Sequence, residues 1–176
     1  IASALETKGI GLHTGAPVSL RLEPNDAGIT FCRPGRPAIP VALSSVQSDA
    51  RGTTLGTTAE PDDCVATVEH PLATLSVLGI DPVRIEVDGP ELPAYDGSAL
   101  PFVELLREAE RRTLSTPRDA IRLTEVVEVR EGDRVARAEP AREFGLDVRI
   151  DFDHPLIGEQ RLVRKSVTVE DFQAAI

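Results

Sequence analysis

The chain has 176 residues and a net charge of −10, with 41% hydrophobic, 27% charged and only 3% aromatic residues and no Trp or Met. That length allows one domain or two small ones, with a core built mostly of Val, Leu, Ile and Ala. The acidic balance argues against a nucleic-acid backbone or an anionic membrane as main partner, and no apolar run is long enough to span a bilayer.

The first six residues lack the basic start and long apolar core of a signal peptide. Cys32 and Cys64 are the only cysteines and form no CxxC, so they read as reduced thiols of a cytoplasmic protein.

In chain order, residues 5–12 predict a strand running into a turn, with His13 among Gly9, Gly11 and Gly15. Thr14 stands where a dinucleotide-binding fingerprint needs glycine, which removes that reading. Val18, Leu20 and Leu22 alternate with Ser19 and Arg21 as a strand. Residues 24–28 predict a turn and 29–32 a return strand, the two strands forming a hairpin. Ile39, Val41 and Leu43 alternate as another strand after a proline-rich loop. Residues 44–51 are polar and irregular, 52–58 a threonine-bearing strand, and 60–63 an acidic, solvated turn.

The stretch 66–111 organises the rest. Val68, Leu72 and Leu75 form a helical stripe, Thr67 suits its N-cap, and Gly79 and Pro82 stop it. Val83, Ile85 and Val87 alternate with charges as a half-buried strand. After the Gly89-Pro90 turn, Asp96 or Ser98 caps a second helix, with Pro101 in its first turn and Phe102, Leu105, Leu106 and Ala109 inward. At the start of the first helix stands Glu69-His70. A carboxylate beside an imidazole suits a proton acceptor beside a metal ligand. The same pair suits a solvated turn, with Glu69 favouring the helix dipole.

Residues 110–120 predict a linker. Strands are expected at 121–129 and 134–138 around a turn at 131–133, then along Phe144, Leu146, Val148, Ile150 and Phe152, ended by His154-Pro155, and at 160–167. Thr168 and Asp171 read as a capping box opening a helix whose inner face begins with Phe172, Ala175 and Ile176. The element order of the first part thus recurs in the second. Ile1 is not a start methionine, and the chain stops about two turns into that helix, so it reads as a fragment of a longer product.

Three ordered motifs carry a resemblance: G-I-G-L-H-T-G at 9–15, T-V-E-H followed by L-A-T-L-S-V-L-G-I-D within 67–81, and V-R-I-E-V-D-G-P-E-L-P-A-Y-D-G-S-A-L-P-F-V at 83–103. Together they resemble the zinc-dependent UDP-3-O-acyl-N-acetylglucosamine deacetylases of lipid A biosynthesis. The likeness runs over the whole chain, more weakly after about residue 117. It implies an α+β fold of two similar sheet-plus-helices domains with the active site between them. Domain one would be complete at 1–116 and domain two partial at 117–176.

The activity implied is hydrolysis of the N-acetyl group of a UDP-linked 3-O-acylated amino sugar, releasing acetate. This is the committed step towards lipid A, in the cytoplasm of a Gram-negative-type bacterium. The resemblance makes Zn2+ the cofactor, His70 one of its ligands and Glu69 the base that deprotonates the attacking water. It puts His13 near the metal cleft, the plainer reading being an exposed loop histidine.

The family's other ligands lie in an H-x-x-x-D helix. Position +4 is Pro17 after His13, Thr74 after His70 and Gly158 after His154, so those ligands are expected beyond Ile176 and the chain alone is expected to be inactive. The family's further catalytic groups are also expected beyond Ile176. Pro71 departs from the family pattern and biases His70 away from helical geometry. Asp153 and His154 match a family-like segment and equally suit a strand-end turn. The alternative function is a non-catalytic binding or interaction domain derived from this fold. A partial second domain would leave open strand edges and an uncovered apolar face, and so associate.

Overall fold

Alternating apolar residues set the first sheet, and their pairing departs from the order of the chain. A computed structural model of the protein describes residues 1–26, 28–115, 117 and 120–175, without the side chain of residue 175. The expected inward face at Ala175 and Ile176, and parts of the 24–28 turn and the 110–120 linker, lie outside what is described. The described residues divide into two compact units, 1–113 and 114–175. The fold is α+β.

The first unit contains, in order, β1 (Leu5–Ile10), β2 (Pro17–Pro24), β3 (Ile29–Cys32), β4 (Ile39–Pro40), β5 (Val46–Ser48), β6 (Thr54–Gly56), β7 (Cys64–Ala66), α1 (Glu69–Leu78), β8 (Val83–Val87) and α2 (Leu100–Arg107). Five strands form one sheet in the order β1-β2-β8-β3-β4, and β5-β6-β7 form a second. The expected hairpin of β2 with β3 is not made. β8 lies between them, antiparallel to β2 and parallel to β3, with Ile85 level with both Leu22 and Phe31. Val83, Ile85 and Val87 are completely buried, and their strand takes the middle position of the sheet, where both edges are paired.

The sheet's inward residues, Leu20, Leu22, Phe31 and Ile85 among them, make the core together with Leu75, Phe102 and Leu106 of the helices. Each such side chain contributes about 1.5–3 kcal/mol by leaving water. The other face is polar, with Arg21 pairing with Glu6 at 2.8 Å and Arg84 with Glu23 at 2.8 Å. The strand expected along Ile39, Val41 and Leu43 stops at Pro40, and Leu43 is 93% exposed in a 3-10 turn. Its apolar side chain has no sheet face to enter.

Gly79 closes α1 at φ +63°, a conformation that costs glycine little, and the Ile80 amide bonds the Leu75 carbonyl. Thr67 does not cap α1. It sits at φ +62°, and Val68 occupies the cap position without a side-chain bond. Asp96 and Ser98 act ahead of α2 in relay: Ser98 Oγ donates to Asp96 at 2.8 Å and accepts the Leu100 amide at 3.1 Å.

The second unit holds β9 (Val127–Glu131), β10 (Arg134–Ala138), β11 (Leu146–Phe152), β12 (Gly158–Arg164) and α3 (Val169–Ala175). β9 and β10 form a hairpin across Gly132-Asp133, and β11 pairs with β12 antiparallel. Residues 121–126 remain outside any strand. The capping box is made: Asp171 N donates to Thr168 Oγ1 at 3.1 Å, and Thr168 N to Asp171 Oδ2 at 3.2 Å. Leu146, Val148, Ile150 and Phe152 share one face of their ribbon and are all exposed. No described helix is long and apolar enough to cross a membrane.

Candidate active site

Glu69 and His70 are the first two residues of α1. Leu72 N bonds Val68 O at 3.2 Å, so the helix runs through Pro71 from its first turn. Pro71 therefore does not take His70 out of the helix. First-turn amides have no intrahelical partner, and the missing N–H costs nothing there. Both side chains are half-buried.

The Glu69 carboxylate is held from the neighbouring sheet. Thr53 N, just before β6, donates to its Oε2 at 3.0 Å. Gly52 lies against the other oxygen, where a Cβ would stand 3.2 Å from Oε1. Glycine leaves the space the carboxylate uses. Oε1 has no donor among the described residues. The His70 carbonyl accepts from Thr74 Oγ1 at 3.0 Å, while its imidazole has no hydrogen-bond partner among the described residues. Asp96 is near enough to feel it. Donation from the Ser98 amide and hydroxyl holds the Asp96 carboxyl below its ordinary range, and the field of His70 adds a smaller contribution.

His13 has an exposed side chain in the turn after β1. Its backbone is tied to Glu91, a residue for which the sequence suggested no role. His13 N lies 3.1 Å from both Glu91 oxygens, Thr14 N donates to Oε2 at 3.0 Å, and Thr67 Oγ1 donates to Oε1 at 3.0 Å. Glu91 is 2% exposed. Burial acts to raise its pKa, but the Thr14 and His13 amides and the Thr67 hydroxyl outweigh it and hold the carboxyl below the ordinary glutamate range.

The segment carrying Glu91 is a crosspiece. Leu92 N bonds Ala66 O at 3.1 Å at the end of β7, and Ala94 N bonds Ile10 O at 2.9 Å at the end of β1. The turn bearing His13 and the start of α1 thus meet on one carboxylate. A signal was present in the sequence, since an acidic residue between Pro90 and Leu92-Pro93 in an apolar, stiff segment is poorly placed to reach water.

Asp153 and His154 lie in the second unit, where Leu156 N donates to His154 Nδ1 at 3.2 Å and the Ile157 and Gly158 amides bond its carbonyl. That is the geometry of a strand-end turn. Cys32 and Cys64 are both buried and unpaired, and burial pushes both thiols up, which suits structural rather than nucleophilic cysteines. Among the described residues, no three His, Cys, Asp or Glu side chains are grouped to hold a metal. The described residues do not close a metal site by themselves, and His70 offers a single imidazole donor.

The whole chain, residues 1–176, matches the family described as LpxC, UDP-3-O-acyl N-acetylglycosamine deacetylase. Curated relatives carry the name UDP-3-O-acyl-N-acetylglucosamine deacetylase. The one from Nautilia profundicola is 40% identical over 92% of this chain and 55% of its own length. Those from Anaeromyxobacter dehalogenans and Helicobacter pylori are 43% and 38% identical, each over 91% of this chain and over 52% and 54% of their own lengths. The chain spans about half the length of these relatives. A match over every residue places it without ambiguity: the chain belongs to the UDP-3-O-acyl N-acetylglycosamine deacetylase family.

Proposed function

We propose that this chain carries the base and one metal ligand of a zinc-dependent deacetylase that removes acetate from a UDP-linked 3-O-acylated N-acetylglucosamine. The step belongs to lipid A biosynthesis, and we place it in the cytoplasm. The reading draws on family membership and on the names of the relatives. One structural observation carries it: Glu69 and His70 open α1 side by side, with Glu69 anchored through one oxygen only.

The proposed division of labour follows from that placement. Thr53 N fixes Oε2, so Oε1 faces the reaction as the proton acceptor. Holding the carboxylate by a rigid amide orients it before substrate arrives. His70 offers its imidazole as one zinc donor in this reading, with the remaining donors assigned to residues outside those described. Zinc, when bound, supplies Lewis acidity towards the amide carbonyl and its attacking water. We assign Asp96, whose carboxyl feels the field of His70, and His13, whose amide is held by Glu91, to the surroundings of the same site.

The test is metal analysis of the full-length product of the gene. Wild-type protein is expected to retain zinc through gel filtration, and His70→Ala to lose it. Zinc retained undiminished in His70→Ala would remove His70 from the ligand set. Protein that neither binds zinc nor releases acetate favours the non-catalytic binding domain.

A further inference from the structure

We infer that Glu91 is a positioning residue for Glu69 and His70, its buried carboxylate clamping Thr67 in a left-handed conformation and tying the His13 turn to the start of α1. Its catalytic consequence rests on the deacetylase reading; the clamp itself does not.

Burying a carboxylate is costly, and here no cation among the described residues offsets it. Hydrogen-bond donors do so instead: two amides from the turn at His13 and Thr14, the hydroxyl of Thr67 and the hydroxyl of Thr14. A side chain needed only for packing would be apolar, because a well-packed hydrophobe at such a position is commonly as stable or more so. What the carboxylate adds is direction, since it accepts only where donors point at it.

Thr67 supplies the second observation. It is β-branched yet sits at φ +62°, a region such residues rarely enter. Strain of this kind persists where the surroundings over-determine it. The Glu91 contact is the side-chain restraint on Thr67, which is itself 6% exposed. Thr67 stands two residues before Glu69, so its backbone angles set the direction in which α1 departs. Gly11 completes the fit, for a Cβ there would meet the Thr14 hydroxyl and stand 2.6 Å from Glu91 Oε2.

The experiment compares wild type, Glu91→Gln, Thr67→Val and Thr67→Ser in the full-length product of the gene. Gln keeps the size but turns an NH2 towards amide donors. Val keeps the shape of Thr67 without the hydroxyl, and Ser restores the hydroxyl. Hydrogen exchange at the His13 and Thr14 amides, read without substrate, is expected to quicken at least about tenfold in Glu91→Gln. In acetate release, Glu91→Gln and Thr67→Val are expected to lower kcat at least about tenfold with KM changed less than about threefold, and Thr67→Ser to recover most of the rate.

Unchanged exchange at both amides would overturn the clamp. Wild-type kcat in Thr67→Val, or in a folded Glu91→Gln, would overturn its role in positioning. Should Glu91→Gln not fold, Thr67→Val against Thr67→Ser decides the point. A wild type that releases no acetate ends the deacetylase reading and leaves the exchange result to judge the clamp.

Discussion

Thr53 N donates to Glu69 Oε2 at 3.0 Å, tying the entry to β6 to the first residue of α1. The contact depends on the absence of a side chain at Gly52, where a Cβ would lie 3.2 Å from Glu69 Oε1. Gly52→Ala is therefore expected to push the carboxylate aside by a few tenths of an ångström. Because catalysis is sensitive to small misplacements, kcat should fall about tenfold, and the strain of a side chain at the φ of +158° found at Gly52 should lower the melting temperature as well. Wild-type kcat in this variant would show that Glu69 is not held where the reaction needs it.

Core and surface substitutions should separate the two units. Phe102 is 2% exposed and meets the Tyr95 ring edge-on at 5.2 Å between centroids. Phe102→Ala should cost about 3–5 kcal/mol in denaturant unfolding. Phe144, 68% exposed in the second unit, should cost under about 0.5 kcal/mol when changed to Ala. Equal costs would contradict the assignment of the core to the first unit.

Glu91 makes stability depend on pH in a defined direction. Its carboxyl is held below the ordinary glutamate value, so across that window the unfolded chain binds more protons than the folded one. Its contribution is present above about pH 4.3, the ordinary glutamate pKa, and is lost as pH falls through the lowered folded value. Asp96 and Glu23 are lowered as well and add their own slopes. Melting curves should therefore show a shallower loss below that pH in Glu91→Gln than in wild type. An identical acid slope would mean that the Glu91 carboxylate is not stabilised by its hydrogen-bond donors.

The 176-residue chain should associate as its concentration rises. Val148 and Ile150 lie on one face of β11, 46% and 40% exposed, beside Leu146 and Phe152. Open apolar strand faces of this kind pair with further strands or apolar surfaces. Sedimentation velocity should show the association weakened by Val148→Lys with Ile150→Lys. A monodisperse wild-type monomer across the concentration range would contradict it.

Local patterns were legible wherever a residue's neighbours in sequence decide its structure. The alternations of Val18 to Leu22 and Val83 to Val87 became β2 and β8, that of Phe144 to Phe152 became β11 from Leu146 onward, and the Thr168–Asp171 box and Gly79 stop are both made. Partner choice was not legible. β3 pairs with β8 rather than β2, which puts the fully buried Val83, Ile85 and Val87 in the middle of the sheet, a decision made across more than fifty residues. At the site, the motif singled out Glu69 and His70. Glu91 is hidden from a local reading because its donors lie 24, 77 and 78 residues away, and Thr67 suggests a cap because threonine is among the residues favoured at that position.

The most direct test of the account is the rate of acetate release by the zinc-loaded, full-length product of the gene, wild type against Glu69→Gln. Gln keeps an oxygen for the Thr53 amide but cannot accept the proton. The rate is expected to fall about 10²–10⁴-fold with zinc content unchanged. A Glu69→Gln protein that releases acetate at the wild-type rate would contradict it.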